Sequence, residues 1–151
     1  EEGKKILDIA ENIVLKLPIT WDGIKACSYF FEMERDVNMT LCFSVSQALL
    51  AAKAGATYVS PFIGRLDDIG QDGNNLIAEI KEVFSNYPEY DVNLLASSIR
   101  HPQHFFSAAL IGADAATIPY NVLKQLLEHP LTDKGLDRFV QDWKKSGLII
   151  E

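Results

Sequence analysis

The chain sets short apolar runs roughly 20 to 35 residues apart and fills the intervals with amphipathic stretches, and no other feature constrains its fold as strongly. The runs fall at residues 13–17, 38–43, 58–62, 92–97 and 116–119. Between and around them, helical spacing of apolar residues predicts helices over 4–11, 21–34, 45–54, 74–86, 102–111, 121–127 and 133–145. Strands so far apart cannot be hairpin partners, whereas parallel strands need crossovers of a dozen or more residues. The pattern predicts βα units and a parallel sheet. Local signals agree. Thr20 and Asp22 suit a helix start, and Ser44 with Gln47 three residues on resembles a capping box. Gly55 and Gly112 each follow a helical pattern, where a left-handed residue is expected. The stretches Gly55-Ala56…Ser60-Pro61-Phe62 and Gly112-Ala113…Ile118-Pro119-Tyr120 repeat the order helix stop, strand, proline, aromatic.

Two α/β architectures satisfy this pattern, an open doubly wound sheet and a (β/α)8 TIM barrel. No Gly-x-Gly-x-x-Gly follows a strand, so the dinucleotide-binding form of the open sheet lacks its signature. In a barrel, residues at strand C-termini converge on one mouth. Lys16, Thr40, Ser44, Ser60 and Ser98 occupy such positions. The expected fold is therefore a (β/α)8 barrel. Five strands are readable where a barrel has eight, so the chain is expected to lack the first three strands. Glu1 opens within a helical pattern, which points the same way. Residues 1–151 are read as a single domain, the C-terminal part of a barrel ending in a helix.

With 48% hydrophobic and 23% charged residues, the composition is that of an ordinary globular protein. A net charge of -7 argues against nucleic acid or an anionic membrane as partner, since both need a basic footprint. No apolar stretch reaches the length of a membrane span. Cys27 and Cys42 form neither a redox motif nor a disulfide framework, and a cytoplasmic setting is expected.

Lys16 interrupts the apolar run Ile13-Val14-Leu15-Lys16-Leu17-Pro18-Ile19. A lysine buried in a strand loses hydration of its ammonium form, so its pKa falls and the neutral amine can attack a carbonyl. The alternative is an edge strand whose lysine reaches water. His101 and His104 lie three residues apart, but no cysteine or acidic cluster joins them, and no metal is expected. Asp67, Asp68 and Asp72 lack the spacing of a calcium loop and read as a solvated turn. The last helix carries Leu136, Phe139, Val140 and Trp143 as a stripe that packs either on its own barrel or on another subunit.

Several segments carry a family resemblance. Asn12-Ile13-Val14-Leu15-Lys16-Leu17-Pro18-Ile19-Thr20 resembles the Schiff-base lysine strand of transaldolases. Asn38-Met39-Thr40-Leu41-Cys42-Phe43-Ser44 and the helix from Gln47 resemble the strand and helix that follow it. Tyr58-Val59-Ser60-Pro61-Phe62-Ile63-Gly64-Arg65-Leu66-Asp67-Asp68, Ala96-Ser97-Ser98-Ile99-Arg100 and Thr117-Ile118-Pro119-Tyr120 complete the series in order. The resemblance covers practically the whole chain and points to the short transaldolase subfamily, which includes the fructose-6-phosphate aldolases.

It implies a cofactor-free class I enzyme that transfers a dihydroxyacetone unit between sugar phosphates in the pentose phosphate pathway. Lys16 would form the imine and Thr40 would hold the catalytic water. Asn38, Ser60 and Phe62 would contact substrate, with Arg65, Ser98 and Arg100 as the phosphate clamp. Phe62 stands where the aldolases of this group carry tyrosine, which favours a transaldolase over a fructose-6-phosphate aldolase. The resemblance also implies a homo-oligomer, pentamer or decamer. The family's aspartate on the first strand, and an acidic or amide residue on the third, have no counterpart here. A catalytically impaired barrel fragment is therefore the reading of a different class.

Overall fold

Each apolar run becomes a strand, and the strands pair in the order in which the chain supplies them. The structure is a computed structural model that describes residues 1–149. Its strands are β1 (Leu15–Pro18), β2 (Val37–Cys42), β3 (Tyr58–Pro61), β4 (Asn93–Ala96) and β5 (Ala115–Ala116), all parallel and ordered β1-β2-β3-β4-β5. The helices are α1 (Glu2–Leu7), α2 (Trp21–Glu32), α3 (Val45–Lys53), α4 (Ile63–Asp67), α5 (Gly73–Ser85), α6 (Pro102–Ile111), α7 (Tyr120–Leu127) and α8 (Pro130–Ser146). A doubly wound sheet reverses its strand order at a switch point. This one never does. Right-handed crossovers that advance in one direction put every intervening helix on the same face. The fold is α/β, with the consecutive parallel strands and one-sided helices of part of a (β/α)8 barrel.

The register separates the two faces. Leu17, Met39, Val59 and Leu94 align across four strands, beside the pair Leu15 and Val37. Apart from the half-buried Leu17, these side chains are buried, against Cys27 and Phe30 of α2, Ala48, Ala51 and Ala52 of α3, and Ile77 and Ile80 of α5. The alanines of α3 keep that helix close to the sheet. Burial pushes the thiols of Cys27 and Cys42 up to about 11 and about 12, so both serve as small core hydrophobes. The alternate row holds Lys16, Asn38, Tyr58 and Asn93, with Pro18, Thr40 and Ser60 one step on. This second face carries no helix.

Helix boundaries follow the local chemistry. Thr20 Oγ1 accepts from the backbone N of Gly23 at 3.0 Å, so Thr20 caps α2, and Asp22 lies in its first turn. Ser44 Oγ accepts from Gln47 N at 3.2 Å while Gln47 Oε1 accepts from Phe43 N at 2.8 Å, a capping box displaced by one residue. Gly55 and Gly112 adopt φ of +89° and +93°, the left-handed conformation expected of them. The strand over 116–119 shrinks to Ala115–Ala116, because Pro119 has no N–H for a ladder and instead opens α7. Helix α4 had no readable period, since five residues make little more than one turn. Helix α8 begins at Pro130, a good first helical residue, and none of its described side chains is buried. Its stripe of Leu136, Phe139, Val140 and Trp143 therefore stays exposed among the described residues.

Gly23 shows how tightly α2 sits against β1. A Cβ there would lie 1.9 Å from the carbonyl oxygen of Pro18, a backbone atom that cannot swing aside. Gly23→Ala should lower stability by about 1–3 kcal/mol, the usual cost of overpacking, read as a lower urea midpoint. An unchanged midpoint would mean that α2 is free to move off the strand.

Candidate active site

The helix-free face gathers the polar residues singled out by the sequence. Parallel register sets Lys16 of β1 beside Asn38 of β2, and Pro18 beside Thr40 and Ser60. Asn38 and Thr40 are two residues apart on one strand, so they share this face. Ser60 is fully buried, and its Oγ donates to Asn38 Oδ1 at 2.6 Å. That bond fixes the side-chain amide of Asn38, leaving its NH2 group free to donate. Thr40 Oγ1 is shielded from solvent yet has no hydrogen-bond partner among the described residues. A buried hydroxyl left unpaired costs about 1–3 kcal/mol, so such groups usually have a role outside packing.

Lys16 departs from expectation. It is exposed rather than buried, because β1 forms the edge of the described sheet and nothing lies over its inner face. Its neighbours on the sheet are nevertheless Asn38 and, one step on, Thr40, and it lies on the side away from the helices.

Strain accumulates at the same strand ends. Between Thr40 and Cys42 the register of β2 shifts, and Leu41 takes a left-handed φ of 60°. For a bulky residue this is a costly conformation, of the kind found where a site over-determines the backbone. The bulge lets Thr40 stay on the inner face while Cys42 turns into the core. Ser98, after β4, is likewise left-handed at 59°. Sequence reasoning missed both, since neither residue is a glycine.

The remaining candidates form a second cluster. Phe62 lies just before α4 and bridges to Ser97 of the segment after β4. Its ring meets Phe43 edge-on, with 5.8 Å between centroids, and carries the Arg65 guanidinium 4.9 Å from its own centroid. The backbone N of Ile63 donates to Ser97 O at 3.0 Å and that of Gly64 to Ser98 O at 3.1 Å, which fastens α4 to the β4–α6 turn. Arg100 makes a two-pronged pair with Asp68, at 2.9 and 2.6 Å, both side chains being about half exposed. Arg65, Ser98 and Arg100 therefore share one corner of the mouth, although Arg100 already holds an acid.

Asp67, Asp68 and Asp72 are exposed, as a solvated turn would have them, and each also holds a hydrogen bond. Asp72 caps α5, and Asp67 Oδ1 accepts from Gly73 N at 3.0 Å. His104 is buried, with Nε2 lying 2.6 Å from Asp67 Oδ2 and Nδ1 accepting from Arg100 N at 3.2 Å. Both ring nitrogens are thus occupied. Lone acids and histidines carried no sequence signal for this arrangement, because the partners lie on three separate elements.

The profile of the Transaldolase/Fructose-6-phosphate aldolase family matches residues 1–149. The probable transaldolase of Parvibaculum lavamentivorans (strain DS-1 / DSM 13023 / NCIMB 13966) is 59% identical over 150 residues, covering 99% of this chain and 69% of that protein. The probable transaldolase of Chelativorans sp. (strain BNC1) is 59% identical over 149 residues, covering 99% and 68%. That of Nitrosopumilus maritimus (strain SCM1) is 55% identical over 145 residues, covering 96% and 65%. A parallel α/β sheet with a polar inner face and a lysine on its first strand is the class that fold and site define. The chain belongs to the transaldolase/fructose-6-phosphate aldolase family, and it spans about two thirds of the length of these relatives.

Burial holds His104 below the ordinary histidine range, helped by the charges of His101 and Arg100 and opposed by Asp67. The unfolded chain takes up this proton near pH 6.5 and the folded chain only at lower pH. The unfolded state thus binds more protons in that window, and stability falls as pH drops below about 6.5. Denaturant midpoints measured downward from that pH should decline in the wild type, and His104→Asn should remove this component. An equal decline in both proteins would place the titrating group elsewhere.

Proposed function

We propose that this protein is a transaldolase. It would move a dihydroxyacetone unit from a ketose phosphate, sedoheptulose-7-phosphate or fructose-6-phosphate, to an aldose phosphate, as one step of the pentose phosphate pathway in the cytoplasm. One observation carries the reading: a lysine, an amide fixed by Ser60 and an unpartnered buried hydroxyl stand on adjacent strands of the helix-free face. In a closed barrel that face lines the interior, where Lys16 would lose the solvent that now surrounds it.

The Lys16 amine adds to the ketose C2 carbonyl, and the carbinolamine expels water to give a protonated imine. The water held at Thr40 takes the C4 hydroxyl proton as the C3–C4 bond breaks. The bonding pair moves into the imine, producing an enamine, and the aldose phosphate departs. The enamine C3 then attacks an acceptor aldehyde, whose oxygen takes up a proton, and water hydrolyses the new imine to free the lysine. No step calls for a metal or an organic cofactor. Thr40 Oγ1 is read as the group that holds the water added and lost at the imine, which accounts for a hydroxyl buried without a protein partner. The Asn38 amide reaches the substrate hydroxyls, with Ser60 behind it. Arg65, Ser98 and Arg100 take the phosphate, for which the planar guanidinium offers paired donors. Phe62 has no hydroxyl to move a proton, which favours transfer to an acceptor over simple aldol cleavage. The residues 1–151 are read as one domain, and the bare stripe of α8 as its contact with another subunit in a pentamer or decamer.

Two outcomes test this reading in the full-length enzyme. Incubation with fructose-6-phosphate and borohydride should attach the substrate covalently to Lys16, and Lys16→Met should abolish both trapping and transfer; trapping that persists would put the imine on another lysine. Thr40→Val should cut kcat by roughly 100-fold or more, the range of a lost acid–base or water-positioning group. Its stability should hold or rise, because an unpaired buried hydroxyl is replaced by an isosteric methyl. A stability loss of several kcal/mol with kcat intact would make Thr40 a packing residue.

A further inference from the structure

We propose that His104 is a positioning residue for the phosphate-binding arginine, fixing the turn Ser98–Arg100 against α4 through the bond between its Nδ1 and the backbone N of Arg100. The inference rests on the reading of Arg100 and Ser98 as phosphate ligands. His104 is 3% exposed on α6, a position that an aliphatic residue would fill without desolvating a polar ring. Instead each nitrogen is bound to a different element. Nδ1 accepts from Arg100 N at 3.2 Å, and Nε2 donates to Asp67 Oδ2 at 2.6 Å. The other oxygen of Asp67 takes the N–H of Gly73, so a single carboxylate and a single imidazole join α4, α5, α6 and the turn.

The same arginine is held at its far end. Asp68, next in sequence to Asp67, binds the Arg100 guanidinium through both oxygens. Adjacent acids thus control one residue, one through His104 at the main chain and one directly at the side chain. Between these anchors the Arg100 side chain crosses α4 at Gly64, where an added Cβ would come within 2.6 Å of Arg100 Cγ and Nε. The turn itself is strained, since Ser98 is a non-glycine residue at a φ of 59°. Such a conformation persists only when its surroundings over-determine it. Gly64 N fixes the Ser98 carbonyl from one side, and the His104 ring fixes Arg100 N from the other. Without the imidazole, the turn loses its second anchor and can relax. Arg100 and Ser98 would then lie away from the position at which both can reach one phosphate.

Three variants of the full-length enzyme separate the two bonds. His104→Phe removes both, His104→Asn keeps an acceptor near the place of Nδ1, and His104→Gln keeps a donor near the place of Nε2. Sulfate, whose charge does not change near neutral pH, serves as the probe in calorimetry at pH 7.5, with Arg100→Ala as the reference for a lost site. His104→Phe and His104→Gln should bind sulfate roughly tenfold more weakly than wild type, the scale of one hydrogen bond lost with its partner left buried. Their KM for fructose-6-phosphate should rise to match, with kcat and the KM for unphosphorylated fructose little changed, and His104→Asn should recover most of the loss. Wild-type sulfate affinity in all three variants would overturn the proposal, as would rescue by glutamine but not by asparagine. If His104→Phe fails to fold, the asparagine and glutamine pair still decides. Absence of any borohydride-trapped imine in the wild type would sink the transaldolase reading, while the sulfate measurements would still report on His104.

Discussion

The constraint on which the rest of this structure depends is handedness. Parallel βα units cross to their neighbours in the right-handed sense as a rule, and every unit here advances in the same direction along the sheet. All the intervening helices must therefore collect on one face, and that face takes the aliphatic row Leu17, Met39, Val59 and Leu94. The other face is relieved of packing duty against helices. It can hold Lys16, Asn38, Thr40 and Ser60 in adjacent register positions without breaking the core. Chemistry and stability are thus assigned to alternate residues of the same short strands. Asn38 and Thr40 are proposed for the first, while Val37 and Met39, their immediate neighbours, are buried completely for the second.

What could be read from the sequence divides along the same line. Short apolar runs marked all five described strands and period-3.6 patterns seven of the eight described helices, because burial leaves a trace in adjacent residues. Thr20, Ser44, Gly55 and Gly112 were legible because caps and left-handed residues depend on a few adjacent positions. Three kinds of feature left no such trace. Helix α4 is too short to show a period. The strain at Leu41 and Ser98 is imposed by neighbouring strands on residues with no preference for it. The Asp67–His104–Arg100 network draws on residues from separate elements, and the individual side chains look like surface charges until they meet. Lys16 stayed open between two readings. An apolar run surrounds it whether its strand is central or marginal, so composition alone could not distinguish a buried lysine from one on an edge.

The electrostatics of the second cluster raise a question that the acidic character of the chain sharpens. With a net charge of -7, the protein must present cations locally if it is to hold a sugar phosphate, yet Arg100 is already paired with Asp68. The pair is about half exposed, and exposed ion pairs contribute little to stability. A guanidinium has five N–H donors, and Asp68 occupies two through NH1 and NH2. A phosphate could therefore share Arg100 or displace Asp68 at small cost, whereas an unpaired arginine would sample many rotamers and lose that freedom on binding. On the proposed reading the acid would act as a placeholder that keeps the fork extended across Gly64. Arg65 reaches a similar end by different means, resting its guanidinium on the ring of Phe62. One cation is preorganised by a weak anion and the other by an aromatic face, which is how an acidic protein can keep a small basic corner in working order.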